Sequence, residues 1–119
     1  MSLSIAYKYL GPTVAISVSI VASGAVAVST GTPNDMTPYA AFLNTGTTLT
    51  ACTLDPANAP TPVFPVNNST AQPVFVLAAG MTQPQIIAVP TGIKGTFSVN
   101  AITNSSVAPV LYVTPVASL

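Results

Sequence analysis

Along residues 13–30, TVAISVSIVASGAVAVST, apolar and small or polar positions alternate. Even positions from 14 to 28 read Val, Ile, Val, Ile, Ala, Gly, Val, Val. Odd positions from 15 to 29 read Ala, Ser, Ser, Val, Ser, Ala, Ala, Ser. A period of two with a β-branched face predicts strand. A helical stripe through Val14, Val18, Val21, Ala25 and Val28 leaves Ile16 and Ile20 off the apolar face, so the strand template accounts for more residues. It places Val14, Ile16, Val18 and Ile20 against a core or a partner. The stretch is long for one strand, and Ser23–Gly24 reads as a break. A two-residue hairpin there throws Val26 and Val28 to the opposite face. A three-residue loop pairing Ala22 with Val26, or a continuous strand with a glycine bulge, keeps them on one face.

The same stretch has two other readings. A membrane-spanning helix requires about 20 predominantly apolar residues; this segment is shorter and carries four serines. An export signal would use Lys8, an apolar run from Leu10 to Ala22 and AVA at 25–27. The chain begins at Met1 with this segment present, so no cleaved leader is expected.

Further strand candidates follow at short, even intervals: LSIAYKYL before this stretch, then YAAFL, TTLTACTL, TPVFPV, PVFVLA, QIIAV, TFSVNAI and PVLYVT. Turn-rich segments separate them, including TGTPND, NTG, DPANAP, NNSTAQ and TNSS. Pro62 and Pro65 bracket Val63–Phe64 and demote that segment to an edge or a loop. No segment offers ten uninterrupted residues of good helix formers. The expectation is an all-β fold, a small antiparallel β-sandwich or barrel of about eight short strands. It forms one domain over residues 1–119, with no visible linker. FPVNNSTAQPVFV (64–76) and FSVNAITNSSVAPVLYV (97–113) echo one another, which reads as the same hairpin grammar used twice.

Composition narrows the function. Half of the 119 residues are hydrophobic and only 3% are charged, against about a quarter in ordinary soluble domains. The charges are Lys8, Asp35, Asp55 and Lys94, and the chain has no Glu, Arg, His or Trp. Chains so poor in charge lose the repulsion that keeps proteins apart, so this one is expected to live packed against neighbours. Abundant Val, Ile and Phe argue against disorder despite 12 prolines.

The chemistry of catalysis is thinly supplied. Acid–base work draws on tuned His, Glu or Asp, and only Asp35 and Asp55 exist, both in turn contexts (PNDM and LDPAN). A serine or cysteine nucleophile has no histidine base. A zinc site lacks ligands, and a calcium site would have only Asp35, Asp55 and backbone oxygens. The expectation is no enzyme, no catalytic residue, no metal and no cofactor. Two lysines do not neutralise a phosphate backbone, so no nucleic-acid partner is expected either. Cys52, the single cysteine, lies in a strand-like stretch and reads as an inert buried thiol. Tyr7, Tyr9, Tyr39 and Tyr112 could floor a sugar site; packing in core or interface is the plainer reading.

The nearly charge-free Thr/Ala/Val/Pro composition, the start at Met1 and the closing NSSVAPVLYVTPVASL resemble the accessory structural proteins of tailed-phage virions. These are the head decoration or cement proteins and fibre-base subunits. The resemblance implies a β-rich homo-oligomer, trimer favoured, on the outer surface of the virion. Its partners would be copies of itself and the major capsid or other virion proteins, with no membrane and no catalytic residues. The alternative is a cell-surface or secreted adhesin or lectin-like β-module.

Overall fold

In a computed structural model the chain is described over residues 7–29, 39–55, 58–65, 74–89 and 96–118. These residues form nine strands and no helix: β1 (Tyr7–Tyr9), β2 (Val14–Ser17), β3 (Val26–Val28), β4 (Tyr39–Asn44), β5 (Thr50–Asp55), β6 (Phe75–Leu77), β7 (Gln85–Ala88), β8 (Phe97–Thr103) and β9 (Val110–Ser118). They pair antiparallel in two sheets. The first has the order β1-β9-β4-β7, with β2 beside β1 along the same flank of β9; the second has the order β3-β8-β5-β6. The fold is therefore a small antiparallel β-sandwich, one strand richer than expected, and not a barrel.

Alternation places the core between the sheets. Ile16, Ala40, Phe42, Leu111 and Val113 of the first sheet meet Val28, Cys52, Leu77, Phe97, Val99 and Ala101 of the second in one buried cluster. Phe42 of β4 and Phe75 of β6 make an edge-to-face pair across the gap, centroids 5.1 Å apart at 64°. The proline-bracketed Val63–Phe64 forms no strand, as its chemistry dictates.

The opening stretch belongs to both sheets. Val14–Ser17 pairs with β9 and Val26–Val28 pairs with β8, so no hairpin forms at Ser23–Gly24. Between them the chain crosses from one sheet to the other. Val18 N–H donates to the Pro109 carbonyl (3.0 Å) and Thr103 N–H to the Ser19 carbonyl (2.9 Å). Ile16, Val18 and Val28 are buried as the alternation requires, but Ile20 is 61% exposed and Val21 72% exposed. The expectation for Ile20 is corrected here: alternation predicts a face only while the backbone stays extended. A bend replaces the strand at Ile20–Val21. Ser19 makes it, its Oγ donating to the Val21 carbonyl (2.9 Å) and accepting from Val21 N–H (3.2 Å). Ser23 completes the crossing by pairing N–H to Ala101 O (2.9 Å) and Oγ with Ala101 N–H (3.1 Å). Gly24 supplies the positive φ of 81°.

The internal echo does not describe two hairpins. β8 and β9 lie in different sheets, so the loop between them is a crossover. Of the first copy, residues 66–73 lie outside the described residues, and Phe64–Pro65 is not strand.

β9 also runs four residues beyond Thr114, where the candidate PVLYVT ends, through Pro115 in a central strand. Proline normally breaks a ladder there. The Pro115 carbonyl accepts from Leu10 N–H (2.9 Å), and in a strand a residue's N and C=O point to the same side. The missing N–H therefore faces the gap between β1 and β2. There residues 10–13 stand opposite only Thr114 and Pro115, a bulge in the flanking chain that does not call on a proline N–H.

Candidate binding face

Among the described residues no three His, Cys, Asp or Glu side chains come together as a metal site. Asp55 ends β5 and its Oδ1 accepts from Asn58 N–H at 3.0 Å, the turn role its sequence context suggests. Lys8 lies exposed on β1. Asp35 and Lys94 lie outside the described residues. Cys52 is fully buried in the core, and desolvation pushes its thiol up to about 12, which keeps it protonated and unreactive at neutral pH.

What the fold does assemble is a tyrosine face. Inward-facing Ala40 and Phe42 put Tyr39, Ala41 and Leu43 on the outer side of β4. Inward-facing Leu111 and Val113 put Tyr112 and Thr114 on the outer side of β9. Register then sets Leu43 opposite Tyr112, Ala41 opposite Thr114 and Tyr39 opposite Val116. On the far flank Tyr9 also lies opposite Val116, and Tyr7 opposite Ser118. Tyr7 and Tyr39 meet edge to face at 6.2 Å. All four tyrosines of the chain thus share the outer face of the first sheet, whereas Phe42 and Phe97 are buried between the sheets.

Tyr9, Thr13, Ala41, Leu43, Pro84, Tyr112 and Thr114 line a groove of about 400 Å³ on this face. Ala41 and Leu43 make an apolar floor. Tyr9, 81% exposed, and Tyr112, 38% exposed, present rings and hydroxyls. Thr13 and Thr114 join across the strand gap, Oγ1 to Oγ1, at 2.7 Å. No lining residue bears a charge at neutral pH. Such a groove holds a neutral ligand by aromatic contact and a few hydroxyl hydrogen bonds.

The sequence singled out the tyrosines but not Thr13, Ala41, Leu43, Pro84 or Thr114. Alternation in YAAFLN and VLYVT assigns each residue a face; it cannot show that β4 and β9 are neighbours.

The outer face of the second sheet is covered in part, over β5 and β8. Residues 58–65 lie over it as a strap. Ala59 N–H donates to Ser98 Oγ (2.7 Å) and Asn100 Nδ2 to the Ala59 carbonyl (3.3 Å). Thr53 Oγ1 donates to the Pro60 carbonyl. This accounts for the burial of Thr53, Ser98 and Asn100 on an outward face.

Compared with known proteins, the chain matches no family, no curated sequence and no solved structure.

Proposed function

We propose that this chain is a non-enzymatic structural subunit that assembles on the outer surface of a virion, as a capsid decoration or cement protein. Its partners in this reading are copies of itself, as a trimer, and the major capsid or other virion proteins. The observation that carries the reading is the uncharged tyrosine face on the first sheet. A neutral aromatic surface on a domain with four charges suits permanent packing against protein rather than turnover of a substrate. Exposed Ile20, Val21, Val76 and Val107 extend the apolar surface available for contact. The resemblance of the composition to tailed-phage accessory proteins supplies the setting.

The groove between Tyr9 and Tyr112 favours a second reading, a lectin-like module that stacks a neutral sugar on those rings. The deciding experiment is mass spectrometry of purified particles, followed by adding the recombinant chain to shells that lack it. Saturable binding with fixed stoichiometry is the expected result. Absence from every particle, together with selective retention on a glycan array, would replace the virion reading with the lectin-like one.

A further inference from the structure

Two surfaces of this molecule have complementary chemistry and face in opposite directions. One is the Tyr9–Tyr112 groove on the outer face of the first sheet. The other is the exposed ridge of the 58–65 strap on the outer face of the second. We propose that the groove of one copy receives the proline-rich strap of a second copy, making a head-to-tail contact. This proposal rests on the self-association part of the reading above and names its two surfaces.

The strap is built to be such a ligand. Ala59-Pro60-Thr61-Pro62-Val63-Phe64-Pro65 carries no charge. Proline fixes φ near −65° and pushes the residue before it to extended or polyproline geometry. Ala59, Thr61 and Phe64 each precede a proline, so most of the strap is confined to that region. A polyproline II segment has three residues per turn, so Pro60 and Val63 lie on one ridge and Pro62 on another. The burial agrees: Pro60 is exposed, Val63 is 56% exposed and Pro62 is buried against its own sheet. The strap is already ordered by bonds to Ser98, Asn100 and Thr53, which lowers the entropy lost on docking.

The groove suits that ridge better than it suits a sugar. Proline-rich segments dock in aromatic-lined grooves, and they present carbonyls with few N–H groups. Tyr9 and Tyr112 offer hydroxyl donors to such carbonyls, and Ala41, Leu43 and Pro84 offer apolar contact. A pyranose ring would bring several hydroxyls needing partners, but the groove's lining includes no Asn, Asp, Gln or Glu. Of its two threonine hydroxyls one already donates to the other, which leaves a single threonine donor for a ligand. Neither surface carries a charge that would have to be desolvated, and the polar groups that are buried can pair hydroxyl to carbonyl.

Groove and strap lie on opposite sides of the sandwich, so one molecule cannot satisfy itself. A contact between different patches is heterologous. Made from opposite faces, it stacks copies in a row instead of closing a three-membered ring, so the self-association of the reading above carries over and its trimer does not. That property supplies the test. A groove variant, Tyr9→Ala with Tyr112→Ala, keeps its strap. A strap variant, Val63→Asp, keeps its groove. Both change exposed positions, and circular dichroism confirms their folding; Tyr112→Phe, removing only a hydroxyl, provides a milder second variant. Sedimentation should show each variant losing self-association by at least about tenfold. Mixing the two should restore a 1:1 pair through the one intact groove and the one intact strap. A peptide of residues 59–65 should bind the strap variant and change its tyrosine emission, and its Pro→Ala version should not. If both variants assemble like wild type, self-association stands and this contact is wrong. If the mixture stays apart, the head-to-tail contact is wrong. If the wild type is itself monomeric at high concentration, both this contact and the homo-oligomer reading fall.

Discussion

Gly11 lies against Pro115 at the point where the flank of the first sheet is interrupted. A methyl group on Gly11 would come within 3.3 Å of the proline Cγ and would overlap the Ser29 carbonyl oxygen. The two residues answer each other. Proline removes the N–H that would have bonded there, and glycine lets the bulged chain pass between β9 and the segment after β3.

Gly11→Ala should therefore destabilise the fold by roughly 1–3 kcal/mol, the cost of forcing an extra carbon into a filled space. Urea denaturation should show a lower midpoint with an unchanged slope. A wild-type midpoint would mean that the bulge has room to move.

Val18 and Ile20 are both apolar and share a parity, but one is fully buried and the other 61% exposed. Val18→Asp should cost several kcal/mol, because it buries an unpaired carboxylate. Ile20→Asp should stay within about 0.5 kcal/mol of wild type. Thermal melts of the two proteins decide this, and equal losses would contradict the crossing described for residues 18–23.

The Cys52 thiol, shifted by burial from 9.0 to about 12, links stability to alkaline pH. In the unfolded chain the thiol ionises above pH 9, while in the folded chain it stays protonated to about pH 12. The unfolded state thus binds fewer protons in that window, and stability falls as pH rises through it. Cys52→Ala should lose part of this decline. Thiol reagents should label native wild type slowly at pH 8 and rapidly in denaturant. Fast native labelling would show that the core opens at Cys52.

If the chain self-associates as proposed, four charges per copy are too few for its contacts to be mainly ionic. Dissociation of any oligomer should respond weakly to salt between low and high ionic strength and strongly to urea. Sedimentation across both series checks this. A steep salt response would point to charge pairs involving Lys8, Asp35, Asp55 or Lys94.

Strand content was legible because Val, Ile, Phe and Thr recur with period two between Pro, Gly and Asn breaks, and these are local signals. Sheet membership was not. The serines of residues 13–30 read as a polar face, but Ser19 and Ser23 are spent on backbone bonds at a sheet crossing. The alternation of TFSVNAI puts Ser98 and Asn100 on the face opposite Phe97 and Val99, and the strap that covers both comes from a separate stretch of chain. The candidate PVLYVT stops short of Pro115, whose place inside β9 depends on Leu10–Thr13, more than a hundred residues earlier. The tyrosine face required the register of β1, β4 and β9, which join positions 9, 39 and 112. No window of sequence spans those distances.

The crossing at residues 18–23 also bears on how the sandwich opens. Each sheet of an ordinary sandwich can fray an edge strand by itself. Here one continuous segment is the edge beside β9 and then the edge beside β8, and Val18 and Val28 at its two ends are both sealed in the core. Releasing either end pulls on the other, so the edges of the two sheets should exchange their amide protons for deuterium as one cooperative unit. The segment acts as a hinge pin rather than a hem, binding the two layers into a single opening event.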